Sequence, residues 1–192
     1  MERRSKEDLV SEDPQIDTDT ARWSEGDHAP GNPPIDTDEF RRVLGHFPTG
    51  VTVVTACDGA GPVGMSIGSF ASVSLDPPLV AFFVGKESGS WARIEQCGHF
   101  CVNVLAEDQQ EVCATMAGRD IDKFADVVWK RAGSGCPVLT EVIASIDCRI
   151  EYVHEGGDHW IVVGRVLELD THRDAAPLLF YKGSYGTFAG RG

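Results

Sequence analysis

Apolar and polar residues alternate from Ser145 to Tyr152. Ile146, Cys148, Ile150 and Tyr152 fall on one side, and Ser145, Asp147, Arg149 and Glu151 on the other. A two-residue period is that of a strand with one buried face. Glu155-Gly156-Gly157-Asp158 turns the chain into a second apolar run, His159 to Leu169, so the pair predicts a hairpin. Upstream the period changes. Phe40, Val43, Leu44 and Phe47 recur at i, i+3, i+4 and i+7, the pattern of a helix with one apolar face. Asp36 and Glu39 stand where a capping box would open it, and Pro48-Thr49-Gly50 closes it. Strands are predicted at Val51 to Ala56, Pro62 to Ile67, Leu79 to Val84, Phe100 to Leu105 and Leu178 to Tyr181. Further helices are predicted at about Ser90 to Gln96, with Trp91 and Ile94 inward, and at Glu107 to Met116. Many short strands and few helices suggest a mainly β fold, a closed antiparallel barrel with helical cover.

One stretch breaks the strand pattern. Gly64-Met65-Ser66-Ile67-Gly68-Ser69-Phe70-Ala71-Ser72-Val73-Ser74 carries serines and glycines where β-branched residues are the norm. Asp76-Pro77-Pro78 then ends it. Small residues leave backbone N–H groups approachable, and short hydroxyls add donors. That chemistry suits a flat, polar-edged, phosphorylated ligand lying against the backbone; a plain Ser-rich edge strand fits the residues equally well.

Composition narrows the classes. The chain of 192 residues has room for one domain and a tail. Residues 1–35 hold nine acidic and four basic residues and end in a Pro-rich run, so they read as a disordered tail, with Trp23 its one large aromatic. Residues 36–192 form the domain. The N-terminus has no apolar stretch of a secretory signal, and no run is long enough to span a membrane, which points to the cytoplasm. A net charge of −13 argues against nucleic-acid binding, and an anionic ligand then needs a local basic pocket. Six cysteines without a secretory signal read as reduced, structural thiols, and Cys97-Gly98-His99-Phe100-Cys101 does not match a zinc spacing. Gly-x-Gly-x-x-Gly, Gly-x-Ser-x-Gly, Cys-x-x-Cys and His-Glu-x-x-His are absent, which weighs against Rossmann, hydrolase, thioredoxin-like and metalloprotease readings.

Several motifs in sequence resemble the short-chain flavin reductase family, the reductase components of two-component flavin-dependent monooxygenases. They are Phe40-Arg41-Arg42-Val43-Leu44-Gly45-His46-Phe47-Pro48-Thr49-Gly50-Val51-Thr52-Val53-Val54-Thr55, the Ser/Gly stretch, Phe100-Cys101-Val102-Asn103-Val104-Leu105, Asp122-Lys123-Phe124, Gly157-Asp158-His159-Trp160-Ile161-Val162-Val163-Gly164-Arg165-Val166 and Pro177-Leu178-Leu179-Phe180-Tyr181-Lys182-Gly183. Each is weak alone; their order over Phe40 to Phe188 carries the resemblance. It implies an FMN-binding split barrel, a Greek-key antiparallel barrel with covering helices. It also implies a homodimeric NAD(P)H:flavin oxidoreductase that reduces FAD or FMN and supplies free reduced flavin, by diffusion, to a partner monooxygenase. NADH is favoured over NADPH, since no Arg cluster for a 2′-phosphate stands out. The rival readings are an enzyme that retains its flavin for electron transfer and a non-catalytic flavin- or haem-binding barrel.

The resemblance assigns the site. Ser66, Ile67, Gly68 and Ser69, with Ser72, Val73 and Ser74, would line the isoalloxazine edge and ribityl chain. Ile67 and Gly68 depart from the family's small and hydroxyl- or amide-bearing residues. Ser88 or Ser90 would cap a helix whose N-terminus attracts the flavin phosphate. Lys123 would add a point charge, Phe124 an aromatic wall and Asn103 a partner for the ribityl hydroxyls. His159 would orient the nicotinamide, because hydride transfer to flavin needs ring placement rather than a protein base.

Overall fold

Seven strands, all paired antiparallel, form the main sheet of the computed structural model, which describes residues 34–118 and 122–188. The chain divides into two units, Met1–Thr37 and Asp38–Gly192, and the sheets belong to the second. Residues 1–33 of the expected tail, Trp23 among them, and Arg119 lie outside the described residues.

In chain order the elements are helix α1 (Thr37–Leu44), β1 (Thr49–Gly50), β2 (Thr52–Asp58), β3 (Gly61–Ile67), β4 (Ala71–Leu75), β5 (Pro78–Gly85), helix α2 (Gly89–Cys97), β6 (His99–Val104) and helix α3 (Gln110–Ala117). Then follow β7 (Trp129–Arg131), β8 (Pro137–Leu139), β9 (Ala144–Gly156), β10 (His159–Thr171), β11 (Leu178–Tyr181) and β12 (Ser184–Thr187). The main sheet runs β3-β2-β6-β9-β10-β5-β4, so β3 and β4 are its two ends. The expected fold class, mainly β with a few helices in a split barrel, is the one observed, but the sheet does not close as the residue pattern suggested, since β3 and β4 are not paired with each other. The small strands β1, β11 and β12 form a second sheet and β7–β8 a third.

The core explains the folding. Phe82, Trp91 and Phe100 meet edge to face, with centroids 5.9 Å (Phe82–Trp91) and 5.2 Å (Phe82–Phe100) apart, and Ile94, Val102, Cys148 and Val162 pack around them. Such aromatic pairs stabilise by about 0.5–1.5 kcal/mol beyond their buried area. A Cβ on Gly164 would collide with the Phe100 ring, so glycine is required there, and the β9–β10 ladder shifts register at Val163/Gly164. A second cluster joins Val53, Leu105, Met116, Leu139 and Leu178 under α3.

The hairpin forms as expected, with Gly157 in the left-handed region at φ 69° and His159 opposite Gly156. The alternation within β9, however, does not separate inside from outside. Ser145 and Asp147, expected on the solvent face, are buried, and Tyr152 is exposed. The second face of β9 is covered by the segment around β8 and by His172. Ser134 donates its backbone N–H (2.8 Å) and hydroxyl (2.6 Å) to Asp147, and Ser145 Oγ lies 2.8 Å from His172 Nε2. α3 begins at Gln110 rather than Glu107, because Gln109 Oε1 accepts from Ala106 N (3.0 Å) and holds the preceding residues in a turn. The apolar face of α1 is present but uncovered: Phe40, Val43 and Leu44 are about half exposed, and Phe47 beyond them is 74% exposed. Six cysteines are free thiols, and burial pushes those of Cys101, Cys136 and Cys148 upward in pKa, as expected of structural thiols.

Candidate active site

Strands β3 and β5 flank a cavity of about 1100 Å³. Met65, Ser66 and Ile67 of β3 form one wall, and Phe83, Val84 and Gly85 of β5 form another. The first residues of α2 close one end, Gly68 and Ser69 link the walls, and His159 stands beside Gly85.

The Ser/Gly stretch divides into three parts. Ser66 lines the cavity, and its hydroxyl donates to Cys113 O at 2.7 Å. Ser69 clips the connection to β5: its Oγ donates to Phe83 O (3.0 Å) and accepts from Phe83 N (2.9 Å). Gly68 passes close to Thr49, whose Oγ1 would lie 3.1 Å from an added Cβ. Ser72, Val73 and Ser74 belong to the edge strand β4, where the ladder to β5 shifts register between Ser72 and Ser74. They are not in the cavity wall, so the structure does not bring them to the other candidates.

α2 starts as predicted. Ser88 is its N-cap, with Oγ accepting from Trp91 N at 3.2 Å. The first-turn N–H groups of a helix carry partial positive charge, and Ser88, Gly89 and Ser90 all line the cavity. Lys123 lies there too, but its ammonium is committed to the protein. It donates to Met116 O (2.8 Å) and Gly64 O (3.1 Å), and Ser90 Oγ lies 3.5 Å away. An ammonium has three donors, and three acceptors face it. Phe124 packs on Gly64, Met116 and Trp129 in the second core cluster rather than in the cavity wall.

Asn103 does not reach the cavity. It is fully buried; its Nδ2 lies 3.1–3.4 Å from Val53 O, Thr55 Oγ1, Cys101 O and Pro137 O, while Oδ1 accepts from Leu139 N at 2.8 Å. Its amide is saturated by the fold, so the expected contact with ribityl hydroxyls is not met.

His159 sits at the head of β10, half exposed, between Gly85 and Gly156. Its Nδ1 lies 2.8 Å from Asp158 Oδ1, which fixes the ring, and the hydrogen bond to His159 lowers the Asp158 carboxyl below its usual range. A contiguous apolar groove of about 500 Å³, lined by Phe40, Leu44, Phe83 and Ile161, shares His159 and Ser69 with the cavity.

Among the cavity residues that the sequence reading did not single out is a charged one. Arg93 of α2 lines the wall, and its Nε and Nη2 grip Asp58 at 2.7 and 2.8 Å, while Nη2 also reaches Gly61 O at 3.2 Å. The signal was the i, i+3 spacing of Ser90 and Arg93, beside the inward pair Trp91 and Ile94. Among the described residues no group of three His, Cys, Asp or Glu side chains could hold a metal.

The donor set fits a phosphorylated aromatic cofactor. A slot between two strands is lined by a helix N-terminus, a guanidinium and an imidazole, and its walls are apolar at Met65, Ile67 and Val84.

Residues 44–189 match the flavin reductase like domain family. The chain is 53% identical over 160 residues to the flavin-dependent monooxygenase reductase subunit HsaB of Rhodococcus jostii, covering 83% of this chain and 82% of that one. The solved structure of nitrilotriacetate monooxygenase component B from Mycobacterium thermoresistibile superposes with a TM-score of 0.77 at 47% identity, covering 79% of this chain and 86% of that one. The NADH:FAD oxidoreductase SgcE6 of Streptomyces globisporus, solved with NAD and FAD fragments, gives a TM-score of 0.76 at 37% identity, covering 82% and 98%. The chain belongs to the flavin reductase like domain family.

Proposed function

We propose that this protein is an NADH-dependent flavin reductase that reduces FAD or FMN and supplies free reduced flavin to a partner flavin-dependent monooxygenase. The observation that carries the reading is the cavity itself, a slot between β3 and β5 lined by the α2 N-terminus, Arg93, Lys123 and His159. When bound there, a flavin supplies two-electron redox chemistry with a nicotinamide. The chain's residues bind and orient. Ser66, Ile67, Gly68 and Ser69 border the flat ring system, Ser88 and Ser90 with the first turn of α2 face the phosphate end, and Lys123 buttresses that end with its charge. His159 aligns the nicotinamide. No side chain is required as a proton carrier, so alignment of the two rings is the protein's main contribution.

The active form we propose is a homodimer. α1 exposes Phe40, Val43 and Leu44, with Phe47 exposed just beyond it, beside the apolar groove that adjoins the cavity, and an uncovered apolar face of this kind marks an interaction surface. A second subunit would cover that groove and exclude water from the ring end. The protein acts in the cytoplasm, and reduced flavin passes to the oxygenase by diffusion; among the described residues no helix is long and apolar enough to cross a membrane.

An NADH-oxidation assay with added flavin tests the activity. Turnover that scales with free flavin is expected. A yellow protein without turnover would instead indicate a flavin-holding barrel. Sedimentation at micromolar concentration should give twice the 20.8 kDa chain mass; a monomer with full activity would remove the dimer from the account.

A further inference from the structure

We propose that Arg93 is the residue that grips the flavin's phosphate, through its Nη1 edge, and that Asp58 is the positioning residue that aims it. The assignment rests on the reading of the cavity as a flavin site. Two cations line that cavity at the α2 end, Arg93 and Lys123, and they differ in what they have left to offer. The Lys123 ammonium faces Met116 O, Gly64 O and Ser90 Oγ, so each of its three N–H donors has an acceptor in the protein. It acts as a buttress joining α3, β3 and α2. Arg93 commits Nε and Nη2 to Asp58 and Gly61, but its Nη1 has no hydrogen-bond partner among the described residues. A guanidinium pinned on one edge presents its other N–H pair in a fixed direction, the geometry that suits phosphate oxygens.

Asp58 is built for this task. Its Oδ1 also accepts from Ala60 N at 2.8 Å, so the carboxylate is tied into the β2–β3 turn and cannot swing with the arginine. The arrangement runs from a backbone turn to a carboxylate, and from there to a guanidinium on the cavity wall. In a chain of net charge −13 a phosphate meets general repulsion, so an aimed local cation has to offset it. The shared chemistry is a flavin phosphate ester, terminal in FMN and internal in FAD.

Riboflavin has the same rings and no phosphate, so it isolates the contact. Equilibrium binding of FMN, FAD and riboflavin to the full-length protein, followed by flavin fluorescence, gives each affinity without turnover. For Arg93→Gln the preference for FMN over riboflavin should fall roughly 10- to 100-fold, the size of a charge-assisted hydrogen bond. Arg93→Lys, which keeps the charge and the helix but loses the fork, should lose most of that preference. Asp58→Asn should lose part of it, and Asp58→Glu should recover some. FAD following FMN would place its internal phosphate on Arg93, whereas loss confined to FMN would place only a terminal phosphate there; either supports the assignment. If FMN and riboflavin weaken together with a lower melting point, Arg93 merely staples α2 to the β2–β3 turn and the proposal fails. It also fails if Arg93→Gln and Arg93→Lys both keep the wild-type preference. A wild-type protein that binds none of the three flavins would sink the reading of the cavity itself, which is a different result from any of these.

Discussion

Asn103 and the cavity wall are two polar regions that look alike in sequence and behave oppositely in the structure. Both place amide, hydroxyl or small residues where a strand should be apolar. Around Asn103 every polar atom of the side chain meets another protein atom, and the residue is 0% exposed. Along the cavity, Ser66, Ser69 and Lys123 also bond inward, yet the first residues of α2, Arg93 and His159 line it too, and Arg93 Nη1 has no hydrogen-bond partner among the described residues. What separates a structural polar residue from a binding one is therefore whether the fold itself uses up its hydrogen-bonding capacity. A pattern of residue types along a chain does not carry that information.

The largest test of this contrast is Asn103→Ala. It strands Leu139 N–H and several carbonyls in the core, at about 1–3 kcal/mol per unsatisfied group before relaxation. A loss of about 3 kcal/mol is expected, seen as a melting point lowered by about 6–12 °C. Flavin affinity of the folded fraction should hold. A selective loss of flavin affinity with normal melting would place Asn103 back in the site.

His159→Ala should do the reverse. The ring is half exposed and anchored only by Asp158, so melting should stay within about 2 °C of wild type. Losing one oriented hydrogen bond is worth about 0.5–1.5 kcal/mol, or up to ~10-fold in kcat/KM for NADH. Flavin affinity should change little. Steady-state kinetics beside a melting curve decide, and a lowered melting point with normal kinetics would make His159 structural.

Acid separates the two regions again. The Asn103 cluster is neutral, whereas the Arg93 end of the cavity depends on a carboxylate. Arg93 beside Asp58 holds that carboxyl down at about 2, from an ordinary value near 3.8. A depressed carboxylate contributes stability that is fully present above its unfolded value and disappears as pH falls through the folded one. The melting-point gap between wild type and Asp58→Asn should therefore be flat from pH 5 to 8 and close between about pH 4 and 2. A gap that changes above pH 5 would mean another group titrates there.

Much of the framework was readable in the residues: the β9–β10 hairpin from its alternation and Gly-Gly turn, α2 from Ser88 and the Trp91–Ile94 face, and the cavity's β3 wall from its small residues. What was not readable depended on distant partners. Ser145 and Asp147 sit on a buried second face only because the segment near β8 and His172 cover it. β1, β7, β8 and β12 are two to four residues long and exist through pairing rather than propensity. The exposed face of α1 shows the converse, a correct helix pattern that no other described element covers. Arg93 depends in the same way on a distant partner, Asp58 at the β2–β3 turn.

Ser66 is the intermediate case, and its test has the smallest expected effect. It lines the cavity like a ligand residue, yet its hydroxyl donates inward to Cys113 O, like the Asn103 amide. If capacity used by the fold is the deciding property, Ser66→Ala acts mainly on stability. One neutral, partly buried hydrogen bond is worth about 1 kcal/mol, or about 2–4 °C in melting point. FMN affinity should then move less than about threefold, since the backbone beside the ligand is unchanged. The alternative is that the hydroxyl turns from Cys113 to the ligand on binding, because a serine rotor exchanges partners at little cost. That would weaken FMN and riboflavin alike by about 10-fold and leave the melting point of the free protein near its original value only if Cys113 O found water. Fluorescence titration with both flavins, beside the melting curve of the free protein, distinguishes a fixed serine from one that turns. A fixed serine would extend the contrast with Asn103 into the cavity wall, while a turning one would limit it to side chains buried on all sides.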